Sequence, residues 1–477
     1  MDTLSARHMS LYGYPRATTP QIARFAESSN VYHAHHTGGN FTSPGTASML
    51  MGMYPWTHRA LTSGSFVKRD LVKQNIFRVI GESYYRVGYA QTFWADTLLG
   101  QFSQDIDRKL HPASFSISGP RVSFPERSKT REFNWHILDD FLAGLSPNLP
   151  ASLLGGYLST LYYLRDGASY IHGYPDYPNG IPSMDNFNIA YKNEDVYQGV
   201  YDEISAMHRQ DRPYFGYFHL YSPHEDYKPR KPFSEMFSLD DFIPVEKPSH
   251  PLSSDLSEQD LLEKRLWYDR YIANVDDEFG KLMDMLEKDG ILDTSYIILT
   301  SDHGQLMERG LHGHGGALMF EGVMHIPLII HAPGQNHRQD IYSTTNNADL
   351  LPTLASLTSS SIPENVDGSI LPGLGGEENS ERPSFSVAAF RNSTFMPLNE
   401  ATVVMYKGKY KLIYYKGYKL RKKNKVVSLN DFYELYNLQD DPDEMKNLFS
   451  KNSGRSTELK NELLAALDTA DRIFRRD

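Results

Sequence analysis

The chain has 477 residues, 40% hydrophobic and 12% aromatic, enough to bury one large core and a smaller one. Its formal charge of −11 excludes the strongly basic face of a general nucleic-acid binder. Without a single cysteine it can build no disulfide, no thiolate metal site and no cysteine nucleophile.

Asp2 stands at the start, and Thr42-Ser43-Pro44 opens a run of small and apolar residues through Met53 that reads as a helix, with Thr42 able to cap it. From about Gly100 to Met207 the sequence is rich in Tyr, Pro, Gly and Asn with little periodicity, which predicts an insertion of loops and short helices over the site. Tyr214 to Leu220 reads as a buried strand leading into Ser222-Pro223-His224. Ile272, Val275, Phe279, Leu282, Met283 and Leu286 then recur at helical spacing, and Gly290 lies just past their end as a stop. Tyr296 to Thr300 is too short for a helix and reads as a buried strand. It delivers Ser301-Asp302-His303-Gly304 at its C-terminal end, where open α/β sheets place ligands. Pro327 to His331 is another such strand, stopped by Ala332-Pro333-Gly334.

This alternation predicts an α/β fold with a mostly parallel sheet flanked by helices. The tail changes character. Ala401 to Tyr415 and Lys425 to Leu438 read as antiparallel strands, and a polar amphipathic helix from Thr457 to Arg475 closes the chain. A catalytic domain over 1–375 and a small α/β subdomain over 376–477 are expected. The basic run Lys419 to Lys425 reads as a solvated hairpin loop rather than a polyanion patch. No apolar run of membrane-spanning length and no secretory leader is read, which leaves the compartment open with the cytoplasm slightly favoured. Oligomeric state is equally open.

Asp302-His303-Gly304 carries the first chemical signal. A carboxylate and an imidazole side by side at a strand end can face one hard or borderline cation, and the glycine lets backbone approach closely. Gly310-Leu311-His312-Gly313-His314-Gly315-Gly316 follows, a glycine-hinged loop with two more imidazoles. Surface turn histidines are the plain alternative, but their density beside an acidic strand end favours a metal or oxyanion site.

Ser301-Asp302-His303-Gly304, Glu308, Gly310, His314, then Glu321-Gly322-Val323-Met324-His325-Ile326-Pro327 and Pro333-Gly334, resemble the second metal motif of the sulfatase and phosphonate monoester hydrolase branch of the alkaline-phosphatase superfamily. Asp349-Leu350-Leu351-Pro352-Thr353 and Asp367-Gly368 are similar to the segments downstream of it. Asp2-Thr3-Leu4, Tyr12-Gly13-Tyr14 and Thr19-Pro20 resemble the family's opening strand and loop. Tyr410-Lys411-Leu412-Ile413, Glu434-Leu435-Tyr436-Asn437-Leu438 and Asp441-Pro442-Asp443-Glu444 resemble its small C-terminal sheet. The likeness implies an alkaline-phosphatase-like core and a metal-dependent ester hydrolase.

The nucleophile segment departs from the family. Sulfatases carry Cys or Ser two residues before a proline, oxidised to formylglycine, with Arg two residues after the proline. Here Thr42 takes the nucleophile position, Ser43 is one residue out of register, and Thr46 replaces the arginine. Formylglycine hydrate expels sulfate through a hemiacetal, a route closed to a threonine ester, whereas a phosphoryl or phosphonyl ester on threonine can be released by in-line attack. Hydroxyl nucleophiles in the wider superfamily go with phosphorus substrates.

By position the resemblance implies Asp2, Thr42, Asp302 and His303 as metal ligands, a set suited to Mn²⁺, Zn²⁺ or Ca²⁺. Ser5 and Arg7 depart from the family's basic and acidic residues nearby, as a shortened start or an altered site edge would give. His224 and His314 match positions that touch the substrate oxyanion or protonate the leaving group. His58 could support the site or merely end a turn. Thr92-Phe93-Trp94-Ala95-Asp96 replaces the family's lysine and histidine pair, so the substrate contacts are not those of arylsulfatases. The expected substrate is a phosphodiester, phosphonate or phosphomonoester, on a small molecule or a glycan. The alternatives are a sulfatase working without formylglycine and an inactive member that binds a glycan or partner.

Overall fold

The computed structural model describes residues 1–117, 174–184, 189–422, 425–428 and 431–474. Its centre is two neighbouring sheets. One runs in the order Gln339–Ile341, Asn30–Tyr32, Leu328–His331, Ile297–Thr300; the other runs Arg108–Lys109, Tyr85–Ala90, Tyr214–His219. Residues 1 and 2 link them. The amino group of Met1 donates to the Thr300 carbonyl at 3.0 Å, and the Asp2 N–H donates to the Leu220 carbonyl at 2.8 Å.

The second sheet is parallel, with Tyr85 opposite Tyr214 and Ala90 opposite His219. The first is mixed, departing from the expected mostly parallel sheet at one strand, Leu328–His331. Asn30–Tyr32 runs parallel to Gln339–Ile341, but Leu328–His331 is antiparallel to both Asn30–Tyr32 and Ile297–Thr300. A short buried apolar run looks alike in either direction, and the connection decides. Here the chain returns from Thr300 to Leu328 through a small hairpin, Leu306–Glu308 against Leu311–Gly313, with no long crossover helix.

The helical spacing read from Ile272 to Leu286 belongs to a longer helix, Glu258–Lys288, capped by Ser257, whose Oγ accepts the Asp260 N–H. Its buried stripe of Tyr268, Ile272, Val275, Phe279, Leu282, Met283 and Leu286 packs with Val87, Leu299 and Ile329. The helix Asn193–His208 adds Val196, Tyr197, Val200 and Met207 to the same core. Part of the expected insertion therefore belongs to the central fold: Arg108–Lys109 is an exposed edge strand of the parallel sheet, and Asn193–His208 is longer than the short helices anticipated. Residues 118–173 and 185–188 of that stretch lie outside the described residues.

A four-stranded antiparallel sheet, Ser384–Ala388, Ala401–Lys407, Tyr410–Lys416 and Phe432–Asn437, forms the C-terminal part. Alternation divides its faces. Val403, Met405, Leu412 and Leu435 meet Leu459, Leu463 and Leu467 of the closing helix Ser453–Asp471. Val404, Tyr406, Ile413 and Tyr436 meet Leu306, Met319, Phe320 and Val323 beside the Asp302 loop. A buried ion cluster fastens this second face: Lys411 Nζ lies 2.8 Å from Glu321 Oε1 and 2.7 Å from Glu444 Oε1. The basic run forms part of a two-stranded ribbon, Lys419–Lys422 against Lys425–Ser428. Among the described residues, no helix is long and apolar enough to cross a membrane.

Candidate active site

Strand Ile297–Thr300 ends in a turn that several elements hold. Gly304 and Gln305 donate their N–H groups to Val323 and Gly322 of the short helix Glu321–Met324 at 2.8 and 3.0 Å. Thr37 Oγ1 donates to the Asp302 carbonyl. Asp302 Oδ1 accepts the His303 N–H at 2.9 Å and lies 3.4 Å from the Thr3 nitrogen. Oδ2 is left facing the space shared with Asp2.

Helix Thr42–Met51 runs into this turn, and every one of its residues is buried. It packs so closely that a Cβ on Gly45 would meet the Asp302 carbonyl oxygen at 2.3 Å. Phe41, not Thr42, is the N-cap residue, and no side chain caps the helix. Thr42 thus occupies the first helical position with its hydroxyl turned to the cluster, 3.4 Å from His303 Nε2. N–H groups of a first turn have no intrahelical acceptor, so this end suits an anion.

Asp2, Asp302 and His303 gather into one buried group with ligand atoms within 4.8 Å of one another. His303 Nε2 is 3.6 Å from Asp2 Oδ1 and 3.5 Å from Asp302 Oδ2. Asp2 Oδ1 and Asp302 Oδ2 are buried without a hydrogen-bond partner, the state carboxylate oxygens adopt when a cation is their counterpart. Two carboxylates, an imidazole and a hydroxyl suit a hard or borderline divalent ion. Burial and the neighbouring Asp2 carboxylate push Asp302 up to about 7. Burial acts on Asp2 as well, but His219, His224 and His303 outweigh it and hold its carboxyl below the usual range.

The histidines are fixed in one tautomeric pattern. His303 Nδ1 lies 2.9 Å from the Gly304 carbonyl, His224 Nδ1 lies 2.8 Å from the Glu225 carbonyl, and His314 Nδ1 lies 2.7 Å from Gln305 Oε1. Each oxygen can only accept, so each Nδ1 carries a proton and each Nε2 is the nitrogen left to the site. Burial pushes His303 down to about 4 and His314 well below the usual imidazole range. His314 stands 4.5 Å from His303 and 5.1 Å from His224 between ring centroids.

The structure therefore brings Asp2, Thr42, Asp302 and His303 together, with His314 and His224 alongside. His58 stands apart from them, with Nε2 3.1 Å from Ser48 Oγ and Nδ1 accepting the Ala60 N–H at 3.0 Å. Ser43 turns away, its Oγ accepting the Gly64 N–H at 3.1 Å. Sequence reasoning missed His219 and Gln305. His219 ends the strand Tyr214–His219; its Nε2 lies 3.3 Å from Asp2 Oδ2, and its Nδ1 is 3.1 Å from the Tyr217 hydroxyl. A polar residue at the C-terminal end of a short apolar strand was the available signal, the same one that marked Asp302; both strands, expected to be buried, are mostly half-buried, with His219 and Leu299 their buried residues.

The family model described as Sulfatase matches residues 1–360, and that described as N-sulphoglucosamine sulphohydrolase, C-terminal, matches residues 310–472. Arylsulfatase K of Xenopus laevis is 25% identical over 59% of this chain and 56% of its own length, so the chain spans little more than half of that relative. Choline-sulfatase of Rhizobium meliloti is 22% identical over 90% of this chain and 77% of its own. Among solved structures, phosphonate monoester hydrolase of Agrobacterium radiobacter superposes with a TM-score of 0.67 at 19% identity, covering 98% of this chain and 94% of that one.

Proposed function

Because the chain belongs to the sulfatase family, we propose that it is a metal-dependent ester hydrolase in which Thr42 attacks a phosphorus ester: a phosphodiester, a phosphonate or a phosphomonoester. The observation that carries this reading is the Thr42 hydroxyl at 3.4 Å from His303 Nε2, in a chain with no cysteine to become formylglycine. Residues 1–375 carry the chemistry and 376–477 brace it. Asp2, Asp302, His303 and Thr42 would hold the cation. When bound, it supplies Lewis-acid polarisation of the ester oxygen and acidifies a coordinated hydroxyl.

The protein's own groups do the rest. Thr42 Oγ forms the new bond to phosphorus as the ester oxygen leaves on the opposite side. His314, kept neutral by its burial, takes up the hydroxyl proton and returns it to the departing oxygen, and His224 steadies the oxyanion. Water then attacks the Thr42 ester by the same path, freeing the hydroxyl. The helix N-terminus at Thr42 favours the developing negative charge.

A sulfuric ester is the second reading, favoured by the relatives named as sulfatases. Mass spectrometry of enzyme quenched during turnover separates the two. A phosphoryl-sized adduct on the peptide containing Thr42 is expected with phosphorus esters, and its absence under steady turnover contradicts the threonine route.

A further inference from the structure

Asp2 precedes the first element of regular structure, Ala6–His8, so no helix or strand ladder places its carboxylate and individual contacts do. These come from the end of strand Tyr214–His219. The Asp2 N–H donates to the Leu220 carbonyl at 2.8 Å, and His219 Nε2 lies 3.3 Å from Asp2 Oδ2. Both side chains are buried. An ionised carboxylate only accepts, so Nε2 donates this bond. With Oδ2 engaged the rotation of the carboxylate is set, and Oδ1, buried without a hydrogen-bond partner, is the oxygen left 3.6 Å from His303 Nε2.

His219 is itself fixed. Its carbonyl accepts the Gln91 N–H at 3.0 Å, and its strand pairs it with Ala90. Side chains two apart on a strand share a face, and the Tyr217 hydroxyl lies 3.1 Å from His219 Nδ1, which holds the rotation of the imidazole. The Tyr217 ring in turn packs edge-on against the buried Phe77 at 6.4 Å. A hydrogen-bonded chain thus runs Tyr217–His219–Asp2. From Asp302 Oδ2 the same Nε2 stands 3.8 Å away, beyond hydrogen-bonding reach, and that oxygen has no partner. The imidazole therefore engages one carboxylate and leaves the other open.

We propose that His219 is a positioning residue for the metal: by donating to Asp2 Oδ2 it aims Oδ1 at the ion that Asp2, Thr42, Asp302 and His303 would hold, and it does not coordinate the ion itself. The inference rests on the metal-dependent hydrolase reading above and adds to it a residue that orients a ligand.

Calorimetric titration with Mn²⁺, alongside urea unfolding, tests it on wild type, His219→Leu, His219→Gln and Tyr217→Phe. Loss of a partner that orients a ligand weakens metal binding by about 10–100-fold, and His219→Leu should show a loss of that size. His219→Gln keeps an N–H donor close to the place of Nε2 and should bind within about threefold of wild type, a rescue that lost packing alone does not give. Tyr217→Phe should weaken binding several-fold, and it decides the matter if His219→Leu does not unfold cooperatively. With Co²⁺ in place of Mn²⁺, the visible absorption bands of His219→Gln should keep their wild-type positions, since the ligand set is unchanged. Wild-type affinity in the deciding variant, a loss in His219→Gln as large as in His219→Leu, or shifted Co²⁺ bands overturns the positioning role and leaves the hydrolase reading intact. A wild-type protein that takes up neither ion overturns both.

Discussion

The hydroxyl of Thr42 lies 3.4 Å from Nε2 of His303, although 261 positions separate them in the chain. One residue opens a helix and the other follows a strand, so the contact exists only because the helix N-terminus packs on the strand-end turn, Gly45 against the Asp302 carbonyl. A hydroxyl, two carboxylates and an imidazole meet in a buried space, and two of the carboxylate oxygens have no protein partner.

Metal retention follows from those oxygens. Asp302→Asn and Asp2→Asn preserve shape but remove charge, and each should cut the metal content after dialysis while cooperative unfolding persists. Ligands must be deprotonated, and Asp302 is pushed up to about 7, so affinity should weaken as pH falls below 7, approaching tenfold per unit. Elemental analysis across pH 5.5–8 checks both; unchanged metal in both variants contradicts the ligand set.

His58 is fully buried and pushed down to about 3 by desolvation, while the unfolded chain holds its imidazole near the ordinary value of about 6.5. The unfolded state therefore binds the extra proton first. Stability contributed by neutral His58 is complete above about pH 6.5 and is lost as pH falls toward 3, at up to about 1.4 kcal/mol per pH unit. Urea unfolding from pH 7 to 4.5 should show a shallower decline in His58→Gln than in wild type, and parallel declines would show that His58 does not set the slope.

Lys411 is buried between Glu321 and Glu444. Replacing it with methionine strands two carboxylates, and Lys411→Met should cost about 3–5 kcal/mol of stability. Adding Glu321→Gln and Glu444→Gln should recover much of the loss. Chemical denaturation of the single and triple variants checks this, and a loss no smaller in the triple variant would show that packing rather than charge is responsible.

Asp302 and His303 were legible because a short apolar strand followed by glycine marks where an α/β sheet binds ligands, and local spacing suffices to see it. Thr42 was legible only through its place before Pro44 in the family pattern. Strand direction was not legible: Leu328–His331 and Ile297–Thr300 are apolar runs that suit either neighbour, and the returning connection makes them antiparallel. His219 was hidden because its strand reads as a buried run whose final residue carries no further motif. The ion cluster of Lys411 likewise joins residues whose meeting no local pattern announces.

The most direct test of the account measures kcat/KM on matched p-nitrophenyl phosphate esters and p-nitrophenyl sulfate for the metal-loaded wild type, Thr42→Ser and Thr42→Ala. Phosphorus esters should be turned over faster than the sulfate. Thr42→Ser should retain part of the rate, and Thr42→Ala should lose about 10³-fold or more, the several kcal/mol that a covalent route supplies. Preference for the sulfate ester, or full activity in Thr42→Ala, would contradict the account.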